Sequence, residues 1–481
     1  MNDIQKSLDS LTQILNAGDI VQISLKMLGS INRNITYHNI RTAYLAWKLA
    51  GTIKDEKLNL QNLVILALYH TLGFFRIDNF SDYNPHDNNI DFFSETKEVS
   101  SKYVFSCYYL KYMTPLGNDS LALENFNQPH NDVMKHFIYQ EKYKSIIYLC
   151  ARISAYLFHH GDTALPENID EIAPGYFDPE YVRAFKLANK DNILVEQIKD
   201  DKFVDEFRNF IKDFRFPKKE SEMFEKLLIY FLDFKSTYTV SHAINTSCYA
   251  LSLGQRLGLN SSELSELFCS AVLHDIGKIA TPQRILEFPG KLTPEDMGIM
   301  RHHVNHSKRI LSGNAPEQII ENVYRHHEKL NGTGYPRHIE GKDLTLLQRI
   351  LTVADITSAL NGNRSYKEEF STDKTKAILS KMTEDGELDP NVSKFILEDF
   401  DEIVSEQKYL YKILCVDFSQ VLARYSDYLF NDAGLLADSM LNEAQKSSAD
   451  DSSDNQPDEL DELDDLDELD DLDTLDEPEE I

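Results

Sequence analysis

Cysteine is scarce in this chain, and none of it is spaced for pairing. There are five in 481 residues, Cys107, Cys150, Cys248, Cys269 and Cys415, with no C-x-x-C among them. Scattered thiols, most in apolar helix-like runs, argue against a disulfide framework and a cysteine-built zinc site. Buried free thiols in a reducing compartment are expected instead. Long apolar stretches are missing too, and no run approaches the roughly 20 residues a membrane span needs. The opening Met1-Asn2-Asp3-Ile4-Gln5-Lys6 has no basic stretch leading into an apolar one, so no secretory leader is expected. Lys and Arg number 49 against 79 Asp and Glu, for a net charge of −30. Phosphate contacts to a polymer need clustered Lys and Arg, so a nucleic-acid polymer is not an expected partner. These absences describe a soluble cytoplasmic protein with no membrane partner.

Alternating β-branched runs are also rare. Apolar residues recur at three and four along most of the chain, which predicts an all-α fold. In Leu257-Gly258-Leu259-Asn260-Ser261-Ser262-Glu263, Gly258 suits the end of one helix, and Asn260 with Glu263 suits the box that opens the next. Thr293-Pro294-Glu295-Asp296 reads as an N-cap, a first-turn proline and acids in the first turn. The length predicts two or three domains, and 42% hydrophobic residues suffice for their cores. A boundary is expected near Phe214-Arg215-Phe216-Pro217-Lys218-Lys219, giving units at 1–215 and 216–400. Residues 401–446 read as a helical extension (Ile413, Leu414, Phe418, Val421, Leu422, Tyr425). Residues 447–481 read as a disordered acidic tail. From Asp450 to Ile481 there are 18 acids and no Lys or Arg, and the leucines at 460, 463, 466, 469, 472 and 475 have a non-helical period of three. Such charge density predicts disorder. The tail is then a solvating segment, or a docking peptide for a basic partner.

The chain repeats itself. Tyr37-His38-Asn39-Ile40 echoes Ser241-His242-Ala243-Ile244, and Leu68-Tyr69-His70-Thr71-Leu72-Gly73 echoes Val272-Leu273-His274-Asp275-Ile276-Gly277. The histidines are 32 residues apart in each copy, at an offset of 204. Cys150-Ala151-Arg152-Ile153 resembles Val353-Ala354-Asp355-Ile356, and Phe177-Asp178-Pro179 resembles Leu388-Asp389-Pro390. Four ordered matches at a nearly constant offset argue for duplication. Thr71 matches Asp275 and Arg152 matches Asp355 in this reading. The stretch near Asn127-Gln128-Pro129-His130 is only a poor match to the double-histidine motif described next. The first unit therefore reads as a copy that has lost its metal site.

Two motifs 52 residues apart carry the chemistry: His274-Asp275-Ile276-Gly277-Lys278 and His326-His327-Glu328-Lys329-Leu330-Asn331-Gly332-Thr333-Gly334-Tyr335-Pro336. Burying polar groups unpaired is costly, so such residues on apolar helical faces need a partner. Five segments each carry His or Asp at the buried end of an apolar stripe. They end on His242, on His274 and Asp275, on His303 (preferred to its neighbours His302 and His306), on His326 and His327, and on Asp355. Five imidazoles and two carboxylates are too many for one tetrahedral zinc. They suit two octahedral first-row ions such as Fe or Mn, with Asp275 as candidate bridge. Such a pair activates water as hydroxide and stabilises an attacked phosphoryl group. Lys278, one helical turn on, adds a cation. Isolated pairs such as His86-Asp87 or His159-His160 carry no such weight.

Over roughly residues 225–400 these phrases resemble the HD-GYP family, a branch of the HD superfamily of metal-dependent phosphohydrolases. The likeness includes Ala271-Val272-Leu273-His274-Asp275-Ile276-Gly277-Lys278-Ile279, Met300-Arg301-His302-His303, the H-H-E…G-Y-P motif and Arg349-Ile350-Leu351-Thr352-Val353-Ala354-Asp355. It implies two HD-type helical domains in tandem, the first degenerate, and hydrolysis of cyclic di-GMP to linear pGpG or GMP. It further implies that Lys278 contacts the scissile phosphate, that Arg364 and Lys367 hold substrate phosphates, and that Tyr335 and its glycines shape the pocket. Three positions depart from the family pattern. Tyr238 stands where trinuclear members carry Glu, so two metals are expected. Val304 replaces a common Pro. Ser358 replaces a frequent Asp, which bears on base recognition. Tandem members with an inactive first copy include some that prefer cyclic GMP-AMP, the runner-up substrate. The unit at 1–195 is then expected to regulate or to dimerise; no receiver, PAS or GAF pattern supplies an input signal. A non-catalytic sensor or docking module, and a different HD hydrolase such as a nucleotidase, are the competing functions. The complete ligand set with Lys278 argues against the first, and the G-Y-P motif against the second.

Overall fold

The computed structural model describes residues 14–426, except 54, 77–90, 95, 128–139, 162–164, 218–219, 221–222, 224–226, 229, 235–236, 289, 363–369, 416–420, 422 and 424. Arg364, Lys367, the acidic tail and the side chain of Tyr238 lie outside the described residues. Among the described residues the chain is helical, apart from one isolated β-bridge between Asn331 and Glu340. No described helix is long and apolar enough to cross a membrane.

The first half contains α1 (Ala17–Ile31), α2 (Arg33–Ile53), α3 (Leu60–Tyr69), α4 (Lys97–Met113) and α5 (Gln140–His159). Three shorter helices follow: α6 (Pro179–Ala188), α7 (Ile193–Lys199) and α8 (Phe203–Lys212). The second half runs through α9 (Thr237–Arg256), α10 (Ser261–Leu273), α11 (Pro294–Arg301), α12 (His303–Leu311) and α13 (Glu317–Tyr324). It ends with α14 (Leu346–Leu360), α15 (Thr372–Glu384), α16 (Pro390–Glu398) and α17 (Phe400–Cys415).

Local chemistry sets these boundaries. Gly258 closes α9 at φ 76°. Asn260 accepts from Ser262 N (2.9 Å) and Glu263 N (3.1 Å), while Glu263 accepts from Asn260 N (2.9 Å), so orphan donors at the start of α10 are satisfied reciprocally. Thr293 caps α11 by accepting from Asp296 N at 3.1 Å. One feature differs from the sequence pattern. The apolar stripe from Pro294 to Ile310 reads as one helix, but the chain tightens at His302, whose N–H donates to Ile299 O rather than one residue further back. This three-residue turn re-aims the axis, so that His303 opens α12. Helix α17 lies along α9, where Arg256 meets Glu406 at 2.9 Å, Asp399 at 3.4 Å and Glu402 at 3.6 Å.

The two halves share side-chain geometry. His38 and His70 lie 5.4 Å apart between ring centroids, His242 and His274 5.3 Å. His70 Nδ1 donates to Ala67 O at 2.8 Å, and His274 Nδ1 to Ala271 O at 2.7 Å. Ser154 Oγ lies 3.1 Å from His38 Nδ1, and Ser358 Oγ 3.0 Å from His242 Nδ1. This serine pair keeps the same offset of 204 as the histidines, which places Ala151 at the position of Asp355. The sequence match had put Arg152 there. A short apolar phrase on a long helix fits nearly as well one residue out, and only the hydrogen-bond partner fixes the register. Arg152 instead lays its guanidinium on the Phe93 ring at 4.2 Å. A Cβ on Gly73 would stand 2.1 Å from Lys102 O, and one on Gly277 2.0 Å from His303 O, so Lys102 holds the place of His303. Where the second half has ligands, the first has aromatic rings: Phe92 stacks on His38 at 4.9 Å, and Phe126 lies 5.4 Å from His70.

One hydrophobic core runs through the first half and on behind α10 and α12, through Phe268, Val272, Ile276 and Ile310. A second joins α9, α14, α15 and α16, through Leu253, Leu351, Ile378 and Val392. The contacts between halves are reciprocal. Helix α1 packs on the turn at Ile276–Ala280 and on α12, with Lys26 Nζ donating to Ser312 O at 2.6 Å. In return, Phe231 packs at 6.1 Å from Tyr69 and 5.9 Å from Tyr109.

Candidate metal centre

The catalytic-looking turn is built by close backbone approach. Helix α10 ends at His274, and Asp275 leads into the turn Ile276–Ala280. A Cβ on Gly277 would meet His303 O at 2.0 Å and Ser307 N at 2.5 Å, so only glycine lets α12 approach. Ser307 Oγ accepts from Gly277 N at 2.8 Å and donates to His274 O at 3.1 Å. This brings His303 beside Asp275. His326 and His327 follow α13, Asp355 comes from α14, and His242 from α9.

All seven ligands expected from the sequence converge. Three groups, His242–His274–Asp355, His303–His326–His327 and His274–Asp275–His326, each offer donor atoms within 4.8 Å of one another. Asp275 lies between the two sets. Its Oδ2 is 3.1 Å from His274 Nε2 and 3.5 Å from His242 Nε2, while its Oδ1 is 3.3 Å from His303 Nε2 and 3.9 Å from His326 Nε2. Asp355 Oδ1 is 2.9 Å from His242 Nε2, and its Oδ2 is 3.6 Å from His327 Nδ1.

The hydrogen bonds behind the imidazoles decide what they present. Carbonyls only accept, so His274, His303 and His326 must donate Nδ1–H to Ala271, Met300 and Val323 at 2.7, 2.8 and 2.6 Å. Their Nε2 atoms are left facing the centre. Ser358 Oγ lies 3.3 Å from His242 O and 3.0 Å from His242 Nδ1, so it can donate to the carbonyl and accept Nδ1–H. Two bare nitrogens, His303 Nε2 and His326 Nε2, then face each other at 3.4 Å. His274 Nε2 and Asp275 Oδ1 are buried without a hydrogen-bond partner. Opposed lone pairs and orphaned acceptors are what a cation satisfies, and nitrogen with carboxylate donors suits first-row divalent ions. The residues fit two such ions.

The electrostatics agree. Burial pushes His303 down to about 3, and burial with the neighbouring His274 pushes His326 down to about 4, so both rings are neutral. Burial also opposes charge on Asp275 and Asp355. Nevertheless His274 and Lys278 hold Asp275, and His242 and His274 hold Asp355, well below the usual carboxylate range. Burial opposes charge on His274 as well, but Asp275 and Asp355 raise it to about 10. Two ionised carboxylates in a closed site hold positive charge between them.

Around the centre, Lys278 Nζ reaches Asp275 Oδ2 at 2.7 Å and stays partly exposed. Tyr335 stacks on His327 at 4.6 Å, and the Arg301 guanidinium lies over the same Tyr335 ring at 5.1 Å from its centroid. Buried Glu328 accepts from Arg337 N at 2.7 Å and Ile339 N at 2.9 Å, which pins the glycine-rich loop. A Cβ on Gly334 would lie 2.3 Å from Lys329 N. The rival histidines are elsewhere: His302 is exposed and His306 pairs with Arg309. Ser358, expected to bear on base recognition, faces His242. Nothing in the sequence marks Ser307, and the role of Glu328 lies inside a motif read for its histidines.

Residues 226–392 match the family model described as HD domain, and the two histidine motifs fall within the matched stretch. A 3'3'-cGAMP-specific phosphodiesterase of Vibrio cholerae is 35% identical over 151 residues, covering 31% of this chain and 33% of that protein. A cyclic di-GMP phosphodiesterase of Pseudomonas aeruginosa is 32% identical over 157 residues, 32% of this chain and 37% of that one. A cyclic di-GMP phosphodiesterase response regulator of Xanthomonas campestris is 38% identical over 130 residues, 26% and 34%. The chain thus spans about a third of the length of these curated relatives. The crystal structure of a cyclic GMP-AMP-specific phosphodiesterase of Vibrio cholerae superposes with a TM-score of 0.50 at 16% identity, covering 82% of this chain and 98% of that one. That is a likeness of fold, and it extends over both halves.

Proposed function

We propose that this chain is a metal-dependent cyclic dinucleotide phosphodiesterase, with cyclic di-GMP as substrate. The observation that carries the reading is Asp275, whose two oxygens face two separate sets of imidazole nitrogens. His242, His274, Asp275 and Asp355 would hold one divalent ion, and Asp275, His303, His326 and His327 the other; Fe or Mn suits this donor set. When bound, such a pair supplies an activated water and neutralises charge on the phosphoryl group.

The protein's own groups do the rest. His274, His303 and His326 are held in place by their carbonyl partners. Lys278, paired with Asp275 and partly exposed, is placed to meet a non-bridging phosphate oxygen. Tyr335, stacked on His327, walls the entrance. Water adds to phosphorus, the bond to O3′ breaks, and a 5′-phosphate and 3′-hydroxyl remain, giving linear pGpG; a second cut gives GMP. Arg364 and Lys367 are proposed phosphate contacts.

3'3'-cyclic GMP-AMP is the second reading. Relatives named for it are 32–35% identical to this chain, and those named for cyclic di-GMP are 29–38% identical. In the wider reading residues 1–215 are a metal-free copy with a regulatory or dimerising role, 216–400 the catalytic unit, and the tail a solvating segment or a peptide for a basic partner. The test is turnover of both nucleotides by chain reconstituted anaerobically with Fe or Mn, beside Asp275→Ala. Cleavage by wild type alone is expected. Metal binding without cleavage of either nucleotide would leave a receptor or another phosphoester as substrate.

A further inference from the structure

Several cations of the second half are paired with acids. Lys278 meets Asp275 at 2.7 Å, Lys308 meets Glu321 at 2.8 Å, Lys329 meets Glu387 at 2.9 Å and Arg349 meets Asp389 at 3.0 Å. Arg301 differs. Among the described residues no carboxylate pairs with it, although the chain carries 79 Asp and Glu against 49 Lys and Arg. The residue is half-buried, and its guanidinium lies over the Tyr335 ring at 5.1 Å from the centroid. A partly buried cation without a counter-charge is costly, so its placement beside the metal centre calls for an anion.

The break at His302 brings it there. Side chains two apart on an unbroken helix point about 200° away from each other. Arg301 closes α11 and His303 opens α12, and the turn between them brings both to the side of His327 and Tyr335. His303 faces Asp275 at 3.3 Å. Its ring is 5.1 Å from that of His327, on which Tyr335 stacks at 4.6 Å. Arg301 follows Tyr335 in this row of contacts leading from the ligands, whereas Lys278 is tied to Asp275 at the centre itself.

A cyclic dinucleotide carries two phosphates on opposite sides of its ring. With one held by the ions and Lys278, the other needs a cation of its own. A guanidinium presents a planar fork of donors that matches phosphate oxygens two at a time. We propose that Arg301 binds the second, uncleaved phosphate of the substrate, with Tyr335 holding the guanidinium in place. This rests on reading the site as a cyclic dinucleotide phosphodiesterase, and it names a residue that separates a substrate with two phosphates from a simple phosphodiester.

The test compares two kinds of substrate on the full chain reconstituted anaerobically with Mn. One is the cyclic dinucleotide that the wild type cleaves, cyclic di-GMP or cyclic GMP-AMP. The other is bis(p-nitrophenyl) phosphate, which has a single phosphate. Each is read as KM or, for a compound bound but not cleaved, as Ki. Arg301→Gln should raise the value for the dinucleotide about tenfold or more beyond any change for bis(p-nitrophenyl) phosphate, the scale of a lost charge-assisted hydrogen bond. The metal content should stay at the wild-type ratio. Arg301→Lys, which keeps a cation but not the fork, should recover part of the loss. Equal changes for both compounds, or none for either, would overturn the proposal. So would a metal content that falls together with activity, which would make Arg301 a support for the turn at His302. Failure of the wider reading looks different: wild type would cleave neither cyclic dinucleotide, and both claims would fall.

Discussion

Asp275 is the residue on which the centre turns. Its side chain is buried, ionised and shared between two sets of imidazoles, and the Nδ1 bonds of His274, His303 and His326 to backbone carbonyls turn their Nε2 atoms to the centre. Ser358 does for His242 what the carbonyls do for the others. Ser358→Ala should therefore weaken metal binding by about 10–100-fold, the usual cost of removing a group that orients a ligand, with the fold intact; competition against a graded series of chelators measures it. His326→Ala should leave the ion site of His242, His274, Asp275 and Asp355 in place, so metal content should fall by about half while turnover is lost. The ligand set was legible in the sequence because each member ends an apolar stripe, and His303 was separable from His302 and His306 by its phrase. What replaces the ligands in the first half was less legible. The phrase match aligns Arg152 with Asp355 where the serine offset puts Ala151, and nothing in a sequence marks Lys102 as the residue in the place of His303.

At the scale of elements, two contacts hold the site's shape. Gly277 admits α12 to the His274–Lys278 turn. Gly277→Ala would force a Cβ into His303 O, and backbone on both sides leaves little to yield, so a loss of about 1–3 kcal/mol or more is expected. Differential scanning calorimetry reads it, together with a drop in metal content. Glu328 holds the loop after His327 by two backbone amides. Glu328→Ala removes charge-assisted hydrogen bonds worth about 1.5–3 kcal/mol each, and hydrogen exchange at Arg337 and Ile339 should rise sharply while that of α9 is unchanged. Helix boundaries were well marked where caps exist, at Asn260 and Thr293. The break at His302 was not, because its cause is a turn between two packed helices and no proline or glycine announces it.

At the scale of the whole molecule, the halves are interlocked. Helix α1 supports the turn that carries Lys278, and Phe231 returns the contact onto α3 and α4. A chain beginning at residue 216 would uncover the apolar side of that turn. It should aggregate or melt well below the full chain; an isolated second half that stays monomeric with an unchanged Tm would show that the first half is not structural support. Four echoes can be read in the sequence, but this reciprocal packing cannot, because it depends on surfaces between the halves rather than on motifs within one.

In the proposed centre Asp275 would serve two ions, both held by residues of the second half. The most direct measurement is the metal-to-chain ratio after anaerobic reconstitution with Fe or Mn and removal of loosely bound ions. About two ions per chain in the wild type are predicted, with the same ratio in His38→Ala and a loss of metal in Asp275→Ala. One ion per chain, or a ratio that falls with His38→Ala and not with Asp275→Ala, would contradict it.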